Sequence, residues 1–80
     1  MYVKPRAEAI RQARILNRLN QVGLAKLAGV SYSLISLIES GKRGCSPKTA
    51  GKIADALGLP MNALFEVVRD NDNGDGEEVA

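Results

Sequence analysis

The chain has 80 residues, no histidine and one cysteine, Cys45. This length predicts a single domain with a thin core, and a lone cysteine excludes an internal disulfide, as expected in a reducing cytoplasm. The absence of histidine excludes most catalytic triads and most zinc sites, so we expect neither an enzyme nor a cofactor or metal. No apolar run approaches the roughly 20 residues of a membrane span, so no membrane association is predicted.

The net charge of +2 hides an uneven distribution of charge along the chain. Residues 1–65 contain ten basic and three acidic residues, a net charge of +7, whereas residues 66–80 contain one basic and six acidic residues, a net charge of −5. A basic body indicates a polyanionic partner or simply a soluble surface. Residues 70–80 are almost free of apolar side chains, which predicts a disordered tail that either solubilises the protein or competes with the polyanion.

The rest of the chain predicts five short helices and no strand. Residues 1–5 are expected to form a short arm. Residues 6–18 lack glycine and proline and favour a first helix, in which the spacing of Ile10 and Ala13 predicts core contacts.

The stretch from Asn20 to Lys42 predicts two helices joined by a tight turn. Asn20 is a good N-cap for the second helix and Ser31 for the third, and Gly29 between them suits a left-handed helix end. The residues expected to face inwards are Leu24, Ala25, Leu27, Ala28, Ile35 and Ile38. Two helices that meet at a glycine, with the second offered outwards, are typical of a helix-turn-helix.

Two more helices complete the predicted core. Ser46 followed by Pro47 predicts the start of a fourth helix that runs to about Leu57. A fifth helix is predicted over roughly residues 60–68. The residues expected to face the core are Thr49, Ala50, Ile53, Ala54, Leu57, Met61, Leu64 and Phe65.

This ordered pattern resembles the Cro/Xre-type helix-turn-helix domain of phage repressors and bacterial regulators. The resemblance covers about residues 7–65. Its marks are Gln21, Leu24-Ala25, Ala28-Gly29-Val30-Ser31, Ile35, Ile38-Glu39, Gly41-Lys42-Arg43, Ser46-Pro47-Lys48-Thr49, Lys52-Ile53-Ala54, Ala56-Leu57-Gly58 and Leu64-Phe65. It implies an all-α, five-helix lambda-repressor-like domain over residues 6–69 that binds double-stranded DNA sequence-specifically and regulates transcription, for example as a repressor. The third helix, about residues 32–40, would enter the major groove.

The resemblance also implies roles for individual residues. The positions expected to read bases are Tyr32, Ser33, Ser36 and Leu37. The positions expected to hold phosphates are Asn20, Gln21, Ser31, Lys42, Arg43 and Lys48. In the family, an arginine of the first helix pairs with the glutamate that ends the third. These residues are Arg14 and Glu39 here, and direct contact of Arg14 with a phosphate is the alternative.

The third helix departs from the family pattern, because no Arg, Lys, Gln or Asn lies between Ser31 and Ser40. The bidentate pairings that select guanine or adenine are therefore missing from it. Base selection would depend on thymine methyl contacts by Leu37 and Tyr32, or on DNA shape. In the alternative function, the fold is an adaptor that binds a transcription-machinery subunit or a toxin. The apolar surface expected to serve it comprises Ile15, Leu16, Leu34 and Leu37.

A homodimer is expected, because helix-turn-helix proteins commonly bind two half-sites about one DNA turn apart. The fifth helix or the loop before the fourth would supply the contact, with Val67 and Val68 as candidates, and a dimer formed only on DNA is equally compatible. Cys45 has basic neighbours that could lower its pKa, yet it lacks a partner base and is interpreted as an ordinary loop residue. Operator, sign of regulation and a phage, plasmid or chromosomal role remain open.

Overall fold

The computed structural model of the protein describes residues 2–68. The predicted acidic tail, residues 70–80, lies outside this range. The described elements follow one another as β1 (Tyr2–Pro5), α1 (Ala7–Leu16), α2 (Gln21–Ala28), α3 (Tyr32–Glu39), α4 (Pro47–Leu57), α5 (Met61–Leu64) and β2 (Phe65–Val68). The five helices of the described range pack around one core, which confirms the predicted all-α class, and its two short strands are a minor addition.

The predicted N-caps form as expected. The side-chain oxygens of Asn20, Ser31 and Ser46 accept hydrogen bonds from the backbone N–H groups of the residues three positions later, at 2.7, 3.1 and 3.3 Å. Each bond satisfies one of the backbone donors that a helix leaves unpaired at its start. These caps fix where α2, α3 and α4 begin, and therefore where their N-termini point.

A glycine in the left-handed conformation ends α2. Gly29 has φ of 73°, and the Val30 N–H reaches the carbonyl of Ala25 at 3.0 Å, which is the long hydrogen bond of a Schellman motif. The chain then bends by 117° into α3. This turn sets the angle at which α3 leaves the body of the protein.

The core contains most of the residues that the periodicity predicts. Among residues 2–68, fourteen buried apolar residues form a single cluster: Val3, Ile10, Ala13, Leu24, Ala25, Ala28, Ile35, Ile38, Ala50, Ile53, Ala54, Leu57, Leu64 and Phe65. Met61 packs against this cluster while partly exposed, and Thr49 is half-buried. The prediction that Leu27 faces inwards is wrong, because its side chain is 61% exposed.

The prediction of a chain without strands is also wrong. Residues 2–5, expected to be an arm, form β1, and the helix expected over residues 60–68 ends at Leu64. The two strands pair antiparallel, with Val3 opposite Val67 and Pro5 opposite Phe65. Aromatic and β-branched residues suit a half-buried strand better than a short helix, and pairing places Val3 in the core, where it is fully buried.

Within residues 2–68, no single helix has the length and apolar character needed to cross a membrane. Only when α2 and α3 are counted together, across the 117° bend between them, do their length and apolar composition reach those of a membrane span.

Candidate nucleic-acid interface

The outer face of α3 is small and only partly polar. Because α3 buries Ile35 and Ile38, the residues on the opposite side of the helix point towards solvent. Tyr32 is 51% exposed and Ser33 is exposed, whereas Ser36 and Leu37 are half-buried. The first turn of α3 is therefore the part of this face that is most accessible to a binding partner.

Arg14 and Glu39 join α1 to the end of α3 by an ion pair. Arg14 Nε donates to Glu39 Oε2 at 2.6 Å, and Arg14 Nη2 donates to Glu39 Oε1 at 3.0 Å. The remaining terminal nitrogen of Arg14 donates to the Leu19 carbonyl at 2.9 Å. The two side chains are 13% and 4% exposed, so this geometry favours a structural role over direct contact of Arg14 with a phosphate.

The N-terminus of α2 lies beside the C-terminal end of α3. Gln21 Nε2 donates to Glu39 Oε1 at 3.3 Å, so the Gln21 side chain already has a partner within the protein. The Asn20 side chain likewise accepts the Gly23 N–H as the helix cap. An anion at this end of α2 would therefore interact with the backbone N–H groups and the dipole of the first helical turn, not with these two side chains.

An open polar recess of about 340 Å³ lies where α1, α2 and α3 meet. Its lining residues are Arg11, Arg14, Gln21, Ser36, Glu39 and Ser40. Arg11 was not among the predicted phosphate contacts, although its position one helical turn before Arg14 places both on one face of α1. Arg11 pairs with Glu8, whose carboxyl pKa is held below its usual range chiefly by the hydrogen bond from Arg11.

The cations that follow α3 are presented by a fixed turn. Gly41 adopts φ of 74°, and the Lys42 N–H donates to the Leu37 carbonyl at 3.0 Å, so the backbone at Lys42 is tied to the last turn of α3. Lys42, Arg43 and Lys48 are all exposed. Ser31 is also exposed, but its hydroxyl is the N-cap of α3.

Burial outweighs the basic neighbours in the surroundings of Cys45. Burial raises the pKa of the Cys45 thiol, and the opposing effect of the Arg43 charge is the smaller one. The basic neighbours therefore do not activate this thiol, in agreement with its interpretation as an ordinary loop residue. The described residues contain no cluster of three or more side chains able to hold a metal ion.

The apolar surface predicted for a protein partner is divided. Ile15 and Leu16 are 57% and 82% exposed, and with Gln12 they line a recess of about 200 Å³ on α1. Leu34, by contrast, packs against the core, and Leu37 is half-buried. The exposed apolar part of this surface is therefore centred on α1.

Comparison with protein families and known proteins gives matches over most of the chain. The family model HTH_3, described as Helix-turn-helix, matches residues 10–64. The HTH-type transcriptional repressor RghR of Bacillus subtilis (strain 168) is 42% identical over 59 residues, which is 72% of this chain and 44% of the repressor. The uncharacterised HTH-type transcriptional regulator MJ0272 of Methanocaldococcus jannaschii is 44% identical over 52 residues, covering 65% of this chain and 79% of that protein.

Among the solved structures that share the fold are two that are 30% identical to this chain. The restriction-modification controller protein C.AhdI from Aeromonas hydrophila has a TM-score of 0.68 and 30% identity, over 71% of this chain and 86% of that one. An HTH_3 family transcriptional regulator from Vibrio cholerae has a TM-score of 0.66 and 30% identity, over 71% of this chain and 32% of that one. The chain thus spans less than half of RghR and of the Vibrio cholerae regulator, but most of the controller protein.

Proposed function

This chain belongs to the helix-turn-helix family whose model matches residues 10–64, and on that premise we propose that it binds double-stranded DNA sequence-specifically and regulates transcription. The proposed role is one of binding rather than catalysis, and the proposed location is the cytoplasm. The relatives named as a repressor and as regulators support this function.

One observation carries the proposal: a helix N-terminus and a pair of exposed cations, both of them groups of a kind that binds phosphate, lie at the same end of α3. The hydrogen bond from Gln21 to Glu39 brings the N-terminus of α2 beside the last turn of α3. Lys42 and Arg43 follow that turn directly and are exposed. Helix N-termini and flexible cations both bind phosphate oxygens, so this end of α3 can be held against a DNA backbone from two sides.

The proposed contacts divide by type. Base edges are assigned to Tyr32, Ser33, Ser36 and Leu37. Phosphates are assigned to Asn20, Gln21, Ser31, Lys42, Arg43 and Lys48. Serine hydroxyls discriminate poorly between bases, and Leu37 and Tyr32 offer apolar contact to thymine methyls, so we expect modest base selection supplemented by DNA shape.

The test is the salt dependence of binding to duplex DNA of random sequence, followed by fluorescence anisotropy. The logarithm of the affinity should fall steeply with the logarithm of salt concentration, and Lys42→Ala/Arg43→Ala should flatten the slope by roughly 1.8, about 0.9 per phosphate contact. Leu37→Ala should leave the slope unchanged, because an apolar side chain releases no counterion.

A control of equal charge separates contact from overall electrostatics. Lys26 and Lys52 are exposed basic residues outside the proposed contact set, so Lys26→Ala/Lys52→Ala removes the same charge and should change the slope much less. Absence of salt-dependent binding by the unaltered protein would overturn the proposed function.

The alternative function is a protein-binding adaptor, and the exposure of Ile15 and Leu16 is the observation that favours it. In that case a transcription-machinery subunit or a toxin would cover α1. Ile15→Ser/Leu16→Ser would then abolish binding to that partner, while a DNA binder would keep its affinity for DNA.

A further inference from the structure

The exposed loop after α3 is held in place by the N-terminal strand. Val3 and Cys45 exchange two backbone hydrogen bonds, of 2.9 Å from the Val3 N–H and 3.1 Å from the Cys45 N–H. Lys42 is tied at the other end of the loop to the carbonyl of Leu37. Arg43 and Gly44 therefore lie between two fixed points, and β1 supplies one of them.

Gly44 makes the close approach of this loop to β1 possible. A Cβ atom at this position would lie 2.6 Å from the carbonyl oxygen of Val3, and 2.7 and 3.0 Å from Cδ2 and Cε2 of the Tyr2 ring. Real Cβ atoms do not approach a backbone oxygen so closely, so any side chain here would push the loop away from the strand. Glycine is therefore required here because β1 and the ring of Tyr2 leave no room for a Cβ atom.

We propose that Gly44 and Tyr2 are positioning residues for DNA binding, which act by holding Lys42 and Arg43 where a phosphate backbone meets the end of α3. This inference rests on the proposed function. A loop that is already ordered loses less conformational freedom when its cations engage phosphates, so its preorganisation raises affinity without any additional contact. Neither Gly44 nor Tyr2 needs to touch DNA for this effect.

The experiment is a double-mutant cycle of affinity for random duplex DNA at low salt. Gly44→Ala in the otherwise unaltered protein should weaken binding roughly three- to tenfold, the size expected when about one further residue of the loop must be ordered on binding. The same substitution in Lys42→Ala/Arg43→Ala should have no further effect, because the cations that Gly44 positions are gone. A general loss of folded structure would instead weaken both backgrounds equally.

A matched glycine provides the control. Gly51 lies in α4, and a Cβ built there meets nothing within 4 Å, so Gly51→Ala should leave the affinity for DNA unchanged. Melting curves followed by circular dichroism establish that each variant is folded at the temperature of the binding measurement.

Tyr2 gives a second route that leaves the loop backbone untouched, for the case in which Gly44→Ala does not fold. Tyr2→Ala removes the ring that faces Gly44 and should weaken binding in the same background-dependent manner, whereas Tyr2→Phe keeps the ring and should bind normally. Equal losses in both backgrounds, or no loss at all, would overturn the positioning role while the proposed function stands. A wild-type protein that fails to bind DNA would overturn the proposed function itself.

Discussion

Arg14 shows how one residue stabilises the arrangement of α1 and α3. Its guanidinium makes two hydrogen bonds to Glu39 and one to the Leu19 carbonyl. The resemblance to a known family implies the ion pair. The hydrogen bond to Leu19 could not be predicted from the sequence, because it depends on how the chain turns after α1. That turn includes Arg18 with φ of 60°, an uncommon conformation for a residue other than glycine.

We predict that Arg14→Ala lowers the melting temperature by roughly 12 °C or more. The substitution leaves Glu39, whose side chain is 4% exposed, without its charged partner. Removing one partner of a buried pair costs about 3 kcal/mol or more, and each kcal/mol shifts the melting temperature of so small a domain by about 4–8 °C.

Arg11→Ala is the matched control, since Arg11 pairs with Glu8 at side-chain exposures of 52% and 63%. An exposed ion pair contributes little to stability, so this variant should melt close to the unaltered protein. If Arg14→Ala also left the melting curve where it was, the structural role of the Arg14–Glu39 pair would have to be abandoned.

At the scale of elements, the helices and their caps could be predicted from the sequence, but the strands could not. N-cap residues and left-handed glycines act locally, so a single sequence displays them. β1 and β2 are four residues each and depend on one another across more than sixty positions of the chain. Residues 65–68 carry no turn signal that would separate them from the preceding helix, so the sequence predicts that the helix continues through them.

The pairing of β1 with β2 also determines which backbone N–H and carbonyl groups of β2 are unpaired at its other edge. Because Val3 directs its backbone groups to Cys45, the residues that bond β2 are Tyr2 and Lys4, opposite Val68 and Glu66. The N–H and carbonyl of Val67 therefore point to the other edge. Within residues 2–68 no further strand pairs with that edge, and Val67 is 52% exposed.

The homodimer expected from the sequence would form at this edge, by antiparallel pairing of β2 with its copy about Val67. Such a contact is self-complementary and closes on itself, but four residues per strand give an interface well below the roughly 1,200 Å² of stable complexes. We therefore predict weak association in sedimentation equilibrium at high protein concentration, which duplex DNA with two adjacent sites should strengthen.

Val67→Lys should abolish this association, because a charge on an edge strand opposes pairing. Val22→Lys is the control for the lost apolar surface, as Val22 is 46% exposed and lies on α2. Association that survives Val67→Lys, or that fails equally in both variants, would rule out the β2 edge as the dimer contact.

At the scale of the whole molecule, the family match confirms the resemblance to Cro/Xre-type domains that the ordered motifs indicated. The class of fold was predictable because sixty residues of helix starts, helix ends and core positions all agree with it. The assembly of the candidate interface was not predictable, since the sequence does not show that the loop of Lys42 and Arg43 is held by Val3, some forty residues earlier in the chain.

The central claim is that α3, the N-terminus of α2 and the cations Lys42 and Arg43 form a DNA-binding face. An NMR titration tests this claim most directly. Amide chemical shifts of the folded protein would be followed while random-sequence duplex DNA is added at low salt. The largest changes should fall on Gln21, Tyr32, Ser33, Lys42 and Arg43. Largest changes on α1 around Ile15 and Leu16 with α3 unperturbed, or no changes at all, would contradict the account.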